Sequence, residues 1–518
     1  MSSERTDKKF VIDGKPFLEQ MPVHTLRSAH PHGAVRRRLR VMKFGGTSVG
    51  DATCIRRVVD IVRRASAESD IVVVVSAMSG VTNKLIDAAT RSESGDCRTA
   101  AKVLEEVLQQ HGTALEALIR SDAERERIGS LMRDLLGQCR SWCESTAVRG
   151  QLTPQMRDLI SSLGERLSAP LVAAKLAEDG VSTEAVEATE LIVTDGYYGA
   201  ADPKMEQTRE RCQARLLRLL QLGITPVITG FIGTTEDGVL TTLGRGGSDY
   251  SATILGSALT ADEVTIWTDV DGMLTADPHL VPDATTIPEI SYREAAELAY
   301  FGAKVLHPKT LLPVMQCGIP VWIRNTFAPE KAGTKITPTG HVCNGGVKAL
   351  AAVRDAALIT LEGATITDMP DVVARTLATA ASVRTDVLMI CHSPSCNRVC
   401  LVVAAASAQR TVEALRCEFA TDSTNELVQQ LTVDSTVSIL TVVGQDLHVV
   451  KEVVGRALGE LGREEIKILA TGQGSSEHNV SFVVPRRDVK TALLTTHREF
   501  QFGMVNFAQD SRSEAQLL

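Results

Sequence analysis

The feature that most constrains the fold is a short, unbroken apolar run, Ile71 to Val75, which follows a helical pattern directly. A strand-like segment, Leu39 to Phe44, precedes that pattern, and a glycine-rich loop connects the two. Asp51 is a plausible N-cap for the helix, whose apolar residues repeat at i, i+3, i+4 and i+7: Ile55, Val58, Val59 and Val62. A continuous apolar strand is typical of a parallel sheet buried on both faces. The sequence therefore predicts a β–loop–α–β unit that opens a parallel sheet.

The same alternation continues for about three hundred residues. Strand-like segments recur at Glu190–Thr194, Pro226–Ile232 and Val264–Thr268, with helical stretches between them. The pattern from residue 97 to residue 180 is almost wholly helical, which favours a helical insertion and cover. We therefore predict an α/β/α layered sheet domain over residues 39–340.

An internal repeat follows a Pro-, Gly- and Asn-rich linker at Pro338–Gly346. The segment Ser395–Val403 matches Ser476–Val484 in pattern, 81 positions further on. Each copy follows the order strand, helix, strand, strand, helix, which is that of a ferredoxin-like unit. Two small α+β domains are expected, over residues 347–422 and 434–506, and a C-terminal tail over 507–518.

Composition excludes several classes of protein. The chain of 518 residues is 44% hydrophobic and 23% charged, with a formal net charge of −8, so no large basic field predicts nucleic acid or an anionic membrane as a partner. No apolar run approaches the ~20 residues of a membrane-spanning helix. Eleven cysteines without an ordered spacing indicate a reducing compartment. These features favour a multidomain enzyme in the cytoplasm.

The first 38 residues differ from the rest of the chain. They lack hydrophobic periodicity and end in a basic cluster, Arg36, Arg37 and Arg38. A secretory signal requires an apolar segment, and a transit peptide should be poor in the acidic residues found here. We predict a disordered arm. An organelle-targeting segment, which would place the protein in a plastid, and a nucleic-acid tether are the alternatives.

Two glycine-rich loops can carry chemistry. The segment Lys43 to Ser48 (KFGGTS) leaves a strand and enters a helix, so that open N–H groups, a helix N-terminus and a lysine predict a phosphate site. It is neither a Walker A loop nor a dinucleotide fingerprint, and a structural tight turn is the alternative. In Gly244–Ser251 (GRGGSDYS), Ser248 and Asp249 lie near a helix start, where capping would also explain them, whereas Arg245 can bind a carboxylate or phosphate.

Two further motifs are weaker. Thr268–Gly272 (TDVDG) places two aspartates after a strand, where they can approach Mg²⁺ or a ribose or merely form Asx turns. Phe301–Pro308 (FGAKVLHP) places a lysine after a glycine between two helical stretches. We interpret His307, before Pro308, as a structural capping or core residue.

Together these strings resemble the signatures of aspartate kinase, a member of the amino-acid kinase superfamily. The resemblance rests on KFGGTS, SAMSGVTN, LGER, GRGGSDYS, TDVDG and FGAKVLHP, and it runs from about Val41 to Phe502. The C-terminal repeats resemble the paired ACT domains of that family, and their sequence is most similar to that of the ACT domains in bifunctional aspartate kinase–homoserine dehydrogenases. The chain stops soon after the second repeat, so a monofunctional enzyme is expected.

The resemblance implies transfer of the γ-phosphoryl group of MgATP to the β-carboxylate of L-aspartate. A carboxyl pKa near ~3.9 leaves this nucleophile ionised, so no general base is required. By the resemblance, Lys43 and Lys304 neutralise phosphates, Gly45 and Gly46 present backbone donors, and Asp249 orients a lysine or the metal-bound phosphates. The remaining implied contacts are to the amino acid, from Thr82, Glu165, Arg245 and Ser248, and to the nucleotide, from Thr47, Ser76, Thr268, Asp269, Leu274, His279 and Val305.

The sequence departs from the family at two places. Leu274 and His279 stand where the family commonly has a tyrosine and an arginine, which affects the expected nucleotide contacts. The first repeat has His392–Arg398 where the second has Gln473–Asn479, so its effector site is expected to differ. Cys391, His392, Cys396 and Cys400 can be interpreted as a metal cluster, but small buried strand residues are the favoured interpretation, and no protein-bound metal site is predicted.

Other functions remain open at this point. A glutamate or acetylglutamate kinase is one alternative, although such an enzyme would not be expected to pair the GRGGSDYS string with tandem ACT repeats. A catalytically weak amino-acid sensor that retains the kinase shell is the other. Lysine and threonine are both candidate inhibitors, and the similarity of the repeat sequences to those of the bifunctional enzymes favours threonine. Pairing of ACT-type sheet edges between chains predicts a homodimer or homotetramer.

Overall fold

The computed structural model describes residues 37–302, 305–341, 346–363, 369–393, 397–420, 428, 430–447, 452–473 and 478–500. The predicted N-terminal arm, apart from its last two residues, and the predicted C-terminal tail lie outside this set. All the elements given below belong to one unit that begins at Arg38. No helix in these ranges is long and apolar enough to cross a membrane.

An eight-stranded sheet organises residues 38–337, as the alternation predicts. Its strands, in spatial order, are β3 (Thr183–Val186), β4 (Thr225–Thr229), β2 (Ser69–Val75), β1 (Arg38–Phe44), β7 (Glu263–Thr268), β9 (Val321–Asn325), β10 (Thr334–Thr337) and β8 (Glu289–Ser291). The first six strands in this spatial order, β3, β4, β2, β1, β7 and β9, are parallel to one another, whereas β10 runs antiparallel to β9. A small hairpin is made by β5 (Ile232–Thr234) and β6 (Leu240–Thr242).

Helices cover both faces of this sheet. One core cluster contains Met42 and Phe44 and is covered by α1 (Ala52–Ser66), α2 (Val81–Glu93), α3 (Cys97–Leu118), α4 (Asp122–Arg149), α5 (Pro154–Ser161) and α6 (Leu163–Glu178). The opposite cluster contains Val41 and is covered by α7 (Met205–Cys212), α8 (Arg218–Gln221), α9 (Gly247–Leu259), α10 (Tyr292–Tyr300) and α11 (Pro308–Met315). Alternate residues of β1 thus face opposite layers, as a strand in a doubly covered sheet requires.

The local predictions for the first domain are confirmed, with two exceptions. Asp51 Oδ1 accepts a hydrogen bond from Cys54 N at 2.8 Å and caps α1, whose predicted apolar stripe is fully buried. The predicted strand Pro226–Ile232 ends at Thr229, because the chain turns at Phe231, with φ of 70°, before the hairpin strand that begins at Ile232. The predicted strand at Glu190–Thr194 is wrong, because only isolated bridges form there. The carboxylate of Asp195 accepts from Tyr197 N and Asp202 N, both at 3.1 Å, and this turn ends the extended segment.

The C-terminal part of the chain, residues 347–500, forms the predicted order of strand, helix, strand, strand, helix twice. The first pass is β11 (Val347–Glu362), α12 (Met369–Ser382), β12 (Val387–Ser393), β13 (Arg398–Ala404) and α13 (Ala405–Ala420). The second is β14 (Gln430–Gly444), α14 (Val453–Arg463), β15 (Ala470–Gly472), β16 (Asn479–Pro485) and α15 (Val489–Phe500). All ten elements belong to one antiparallel six-stranded sheet with its helices, in the strand order β12-β13-β11-β14-β16-β15.

The repeat of 81 residues is visible in matching side-chain contacts. Arg375 Nε donates to Glu418 Oε1 at 2.8 Å, and its guanidinium lies 4.7 Å from the ring centroid of Phe419. The residues 81 positions later repeat both contacts: Arg456 Nε donates to Glu499 Oε1 at 2.7 Å, and Phe500 lies 4.8 Å away. The sequence repeat is therefore a structural repeat.

The two copies are joined more closely than their order in the sequence suggests. Strand β11 pairs with β14 along its whole length, from Val347 opposite Gly444 to Glu362 opposite Gln430. The second half of β11 also pairs with β13, and the second half of β14 also pairs with β16. Each long strand therefore serves both copies. We call α12, β12, β13 and α13 the first copy and α14, β15, β16 and α15 the second copy, with β11 and β14 shared. The linear domain boundaries stay predictions.

Helix α10 joins the first domain to both copies. Lys348 Nζ on β11 donates to Glu294 Oε2 at 2.8 Å, and both side chains are fully buried. One turn later Glu297 Oε2 accepts from Asn479 Nδ2 on β16 at 2.7 Å. At the helix end Tyr300 Oη donates to the carbonyl of Val387 on β12 at 3.1 Å.

We expect Lys348→Met to destabilise the protein by about 3–5 kcal/mol, because removing one partner leaves the Glu294 charge buried and unpaired. Glu294 also accepts from Ser291 N at 2.8 Å, so the double variant Lys348→Met/Glu294→Gln keeps that cap and should recover most of the loss. Thermal unfolding of both variants tests this. Equal midpoints for Lys348→Met and the wild type would contradict it.

Candidate active site

The predicted site residues gather where parallel strands end. Lys43 is the penultimate residue of β1, Ser76 follows β2, and Thr268 ends β7. In open sheets of this kind, ligands bind in the crevice beyond the carboxyl ends of the strands. The position of these residues in the fold is therefore that of a ligand site.

A buried ion pair lies at the centre of this edge. Lys43, which is 7% exposed, pairs through Nζ with Asp249 Oδ1 in the first turn of α9. Gly246, with φ of 69°, turns the chain so that α9 begins with Gly247, and a carboxylate in the first turn is favoured by the helix dipole. The pair joins the centre of the sheet to a helix N-terminus.

The first glycine-rich loop is fixed to β7. Gly45 N donates to the carbonyl of Trp267 at 3.1 Å, and Ser48 N donates back to the carbonyl of Gly45 at 2.9 Å. The prediction that Gly45 presents a free donor is therefore wrong for this structure, because that N–H closes the contact between loop and strand. Gly46 N and Thr47 N have no hydrogen-bond acceptor among the described residues and are the donors left to a ligand.

Glu165, in the first turn of α6, is buried beside the ion pair. It is 3% exposed, and burial raises its pKa to about 8, although the N–H of Ala77, the Ser248 hydroxyl and the charge of Lys43 act in the opposite direction. Ser248 Oγ lies 3.5 Å from Glu165 Oε1, and within the described part of the chain Oε2 has no partner.

The close approach that buries Glu165 requires a glycine before it. A Cβ on Gly164 would lie 2.5 Å from Cβ of Ala77, so a side chain there would push α6 away from the segment after β2. Thr82, in the first turn of α2, stands half-buried at the end of this same segment. The strings LGER and SAMSGVTN therefore form one corner of the site.

Arg245 is exposed at the rim. Its loop passes His307, whose Cβ lies 3.0 Å from where a Cβ of Gly246 would stand. His307 Nδ1 accepts from Lys309 N at 3.3 Å and caps α11, as predicted, and burial together with the charge of Arg245 lowers the pKa of this histidine. No carboxylate of the described residues pairs with Arg245, so its guanidinium is available to an anionic ligand.

The aspartates of the TDVDG string have different surroundings. Asp271 accepts from Asn325 Nδ2 at 2.7 Å and Lys331 Nζ at 2.6 Å, and these bonds lower its pKa. It is a structural anchor. Asp269 is exposed and accepts only from Thr268 Oγ1, at 3.2 Å, within the described ranges.

Four predicted nucleotide contacts stay predictions, because no contact of these residues with Lys43 or Asp249 is described. Lys304 lies outside the described residues, and Val305 packs at the edge of a core cluster. Leu274 is half-buried and bridges to Thr286. The His279 side chain is exposed, and its backbone N–H donates to Asp277 Oδ1 at 2.9 Å.

Sequence reasoning missed two polar residues that shape the site. Ser48 is fully buried, and its Oγ lies 2.7 Å from Thr326 Oγ1, so it ties the glycine-rich loop to the chain after β9. Its position within the KFGGTS string is the sequence feature that could have indicated this role. Asp158 is 1% exposed on α5, and a single acidic residue in a helical pattern gave no signal at all.

The pKa of Glu165 leads to a prediction that does not depend on function. A carboxyl whose pKa is raised by folding holds its proton more tightly in the folded protein than in the unfolded chain. The free energy of unfolding therefore falls as pH rises from the unfolded pKa of ~4.3 to the folded pKa, by about 1.4 kcal/mol for each pH unit. Glu165→Gln should raise the melting temperature at pH 8.5 and much less at pH 4.5.

The matched control is Glu116→Gln, since Glu116 is exposed on α3. Its melting temperature should equal that of the wild type at both pH values. A pH-independent effect of Glu165→Gln would show that Glu165 is ionised in the folded protein.

Comparison with known families and proteins agrees with this arrangement. The amino acid kinase family matches residues 38–325, and the ACT domain matches residues 359–419 and 440–500. The lysine-sensitive aspartokinase 3 of Escherichia coli is 32% identical over 462 residues, which cover 88% of this chain and 98% of that protein. A bifunctional aspartokinase/homoserine dehydrogenase of Zea mays is 32% identical over 480 residues, or 90% of this chain and 51% of that protein.

The solved structures similar to this chain include E. coli aspartokinase III in complex with aspartate and ADP. That chain is 31% identical, with a TM-score of 0.76, over 89% of this chain and 99% of its own length. This chain spans about half the length of the bifunctional relatives that it matches. By fold, motifs and coverage, the chain belongs to the amino acid kinase family and, within it, to the aspartokinases with C-terminal ACT domains.

Proposed function

We propose that this protein is an aspartate kinase, which transfers the γ-phosphoryl group of ATP to the β-carboxylate of L-aspartate and forms 4-phospho-L-aspartate. The observation that carries the proposal is the buried Lys43–Asp249 pair beside the buried Glu165 at the carboxyl edge of the sheet. A neighbour of the same fold binds aspartate and ADP, which supports both substrates.

The reaction requires positive charge in the site and does not require a general base. The β-carboxylate is ionised at neutral pH, so its oxygen attacks the γ-phosphorus directly while the bond to the bridging oxygen breaks and ADP leaves. Bringing an anion to a polyanion is the difficulty, and cations with fixed N–H donors relieve it. Lys43, Gly46 N and Thr47 N are the described groups that supply them.

Asp249 is assigned to hold Lys43. An ammonium on a flexible four-carbon stem needs a fixed partner to point at one place. The carboxylate in the first turn of α9 provides that partner, and the N-terminus of the same helix adds positive potential for an anion. Lys304 is assigned to the phosphates by the family resemblance.

The amino-acid substrate is assigned to a second group of residues near the Lys43–Asp249 pair. Arg245 has the planar fork that fits a carboxylate, and Glu165 is the acidic group for the α-ammonium. Ser248, which already lies 3.5 Å from Glu165, and Thr82 add hydroxyl groups. A bound ammonium would bring Glu165 the positive charge that favours its ionised form.

Mg²⁺ is expected to enter with the nucleotide. This ion is usually held by one or two carboxylates plus phosphate oxygens and waters, and it neutralises phosphate charge. Asp269 fits that requirement because it is exposed and beside Thr268 at the end of β7, whereas Asp271 is occupied by its two partners. Thr47, Ser76, Thr268, Asp269 and Val305 are the proposed nucleotide contacts, with Leu274 and His279 on the same segment.

Regulation is assigned to the C-terminal copies, through an amino-acid effector. The E. coli neighbour has also been solved with lysine and aspartate in a T-state, whereas the bifunctional-like wording of the repeats favours threonine. Inhibition by each amino acid in the same assay separates the two. Assembly as a homodimer or homotetramer stays a prediction. The sheet edges give it no direct support, since Cys391 Sγ on β12 donates to the carbonyl of Thr471 on β15, at 3.5 Å, within one chain.

A coupled assay with MgATP and L-aspartate tests the activity, with L-glutamate and N-acetyl-L-glutamate as competing acceptors. We expect turnover with aspartate alone, and we expect Lys43→Ala and Asp249→Ala each to lower kcat by at least about 10²-fold, the scale of one preorganised electrostatic group. ADP release equal for all acceptors, or equal in folded variants and wild type, would refute the proposal.

The apparent KM for aspartate should fall as pH rises from 6.5 toward 8. Glu165 has a pKa of about 8 without ligand, and its ionised form binds the ammonium, so the fraction ready to bind grows with pH. Glu165→Gln should raise this KM and remove its pH dependence, while the KM for ATP follows that of the wild type. A pH-independent KM for aspartate in the wild type would contradict the assignment of Glu165.

A further inference from the structure

Asp158 on α5 is a buried carboxylate outside the set of proposed substrate contacts. We propose that it is a positioning residue for the aspartate side of the site, because it fixes the two backbone segments that hold the loop of Arg245. The inference rests on the proposed function for its kinetic test and on geometry alone for its structural test.

Three donors from two segments meet on this carboxylate. Oδ2 accepts from Gly199 N at 2.9 Å and from Thr242 N at 2.8 Å, and Oδ1 accepts from Thr242 Oγ1 at 2.9 Å. Both backbone N–H groups lie outside helices, so no helical hydrogen bond would replace the lost acceptor. The side chain is 1% exposed, so water does not replace it either.

The first segment leads directly to Arg245. Thr242 is the last residue of β6, and only Leu243 and Gly244 separate it from the arginine. Leu243 N donates to the carbonyl of Phe231 at 2.9 Å, and Gly247 N donates to the carbonyl of Gly244, also at 2.9 Å. The loop is thus held at Thr242 on one side and by α9 on the other.

The second segment, residues 195–202, packs against the same loop. A Cβ on Gly244, whose φ is 80°, would lie 2.8 Å from the carbonyl oxygen of Gly199, so the two backbones are in direct contact. Ala201 N also donates to the carbonyl of Thr242 at 2.9 Å. Asp158 therefore lies beneath the junction of both segments.

The nucleotide side is held by other bonds. Thr326 N donates to the carbonyl of Thr268 at 2.8 Å, and Asp271 fixes the turn that follows β7. Loss of the Asp158 acceptor should therefore displace Arg245 without displacing Thr268 or Asp269. Misplacement of a binding group by about 1 Å can cost as much as ~10²-fold.

The variant Asp158→Asn distinguishes a positioning role of Asp158 from a role of its negative charge. Its amide oxygen can accept both N–H groups, and its NH₂ can donate to Thr242 Oγ1, so all three bonds survive without the charge. Alanine removes all three. A residue that acts through its negative charge would fail in both variants.

The test compares kcat and both KM values for Asp158→Ala, Asp158→Asn and wild type, with Arg245→Lys as a reference for a weakened carboxylate contact. We expect Asp158→Ala to raise the aspartate KM at least about tenfold and leave the ATP KM within twofold, and Asp158→Asn to stay within about threefold of wild type for both. Equal loss in the two Asp158 variants, or an equal rise in both KM values, would overturn the proposal.

Ser161→Ala is the matched control, since Ser161 is 3% exposed on the same helix and donates to the backbone carbonyl of Asp158 at 3.2 Å. It removes a buried bond of α5 without touching either segment, so its KM values should equal those of wild type. If Ser161→Ala reproduces the effect of Asp158→Ala, general destabilisation of α5 is the cause and the proposal fails.

Hydrogen exchange gives a readout that needs no enzymatic activity. The amides of Gly199 and Thr242 should exchange faster in Asp158→Ala than in Asp158→Asn or wild type, while the amides of β7 are unchanged. If Asp158→Ala does not fold, Thr242→Val, which removes only the hydroxyl bond, should still raise the aspartate KM and speed exchange at these amides. Unchanged exchange would overturn the positioning role, whereas absence of turnover in wild type would refute only the proposed function.

Discussion

The buried ion pair between Lys43 and Asp249 is the interaction on which the site depends. It places an ammonium at the end of a central strand and a carboxylate at a helix N-terminus, and the adjacent Glu165 adds a second buried acid. Burial raises the pKa of Glu165 to about 8, although the charge of Lys43 acts in the opposite direction. Under the proposed function, the ammonium of the amino-acid substrate would supply Glu165 with the positive charge that favours its ionised form.

The short helix α10 contacts the C-terminal copies at three points. On α10, Glu294 binds Lys348 of the shared strand β11, Glu297 binds Asn479 of the second copy, and Tyr300 binds the first copy. The chain beyond α10 passes Gly302, where a Cβ would lie 2.6 Å from the carbonyl of Ala352, and then reaches His307 beside the Arg245 loop. Helix α10 is therefore in contact with the shared strand β11 and with both copies.

The sequence predicted what depends on neighbours along the chain. The stripe from Ile55 to Val62, the cap at Asp51 and the order of elements in both copies follow from periodicity and local hydrogen bonding, and all are found in the structure. Contacts between distant segments could not be predicted. Gly45 donates to Trp267, β11 and β14 serve both copies, and Asp158 binds Thr242, and each of these contacts joins residues with no shared local pattern. The family resemblance supplied roles for the site residues, whereas the burial of Glu165 is visible only in the three-dimensional structure.

The departures from the family pattern lie on a segment with two attachments. It leaves β7 at Thr268, and further on Leu280 and Val281 are buried with Leu440 and Phe482 in the core of the second copy. Between these ends, Thr275 Oγ1 lies 3.0 Å from His497 Nε2 on α15 and the Thr275 carbonyl accepts from Leu350 N at 2.8 Å. Leu274 and His279 therefore lie in the sequence between the end of β7 and the residues that pack into the core of the second copy. Residue changes at these two positions therefore fall on the same stretch of chain that contacts β11, α15 and the core of the second copy.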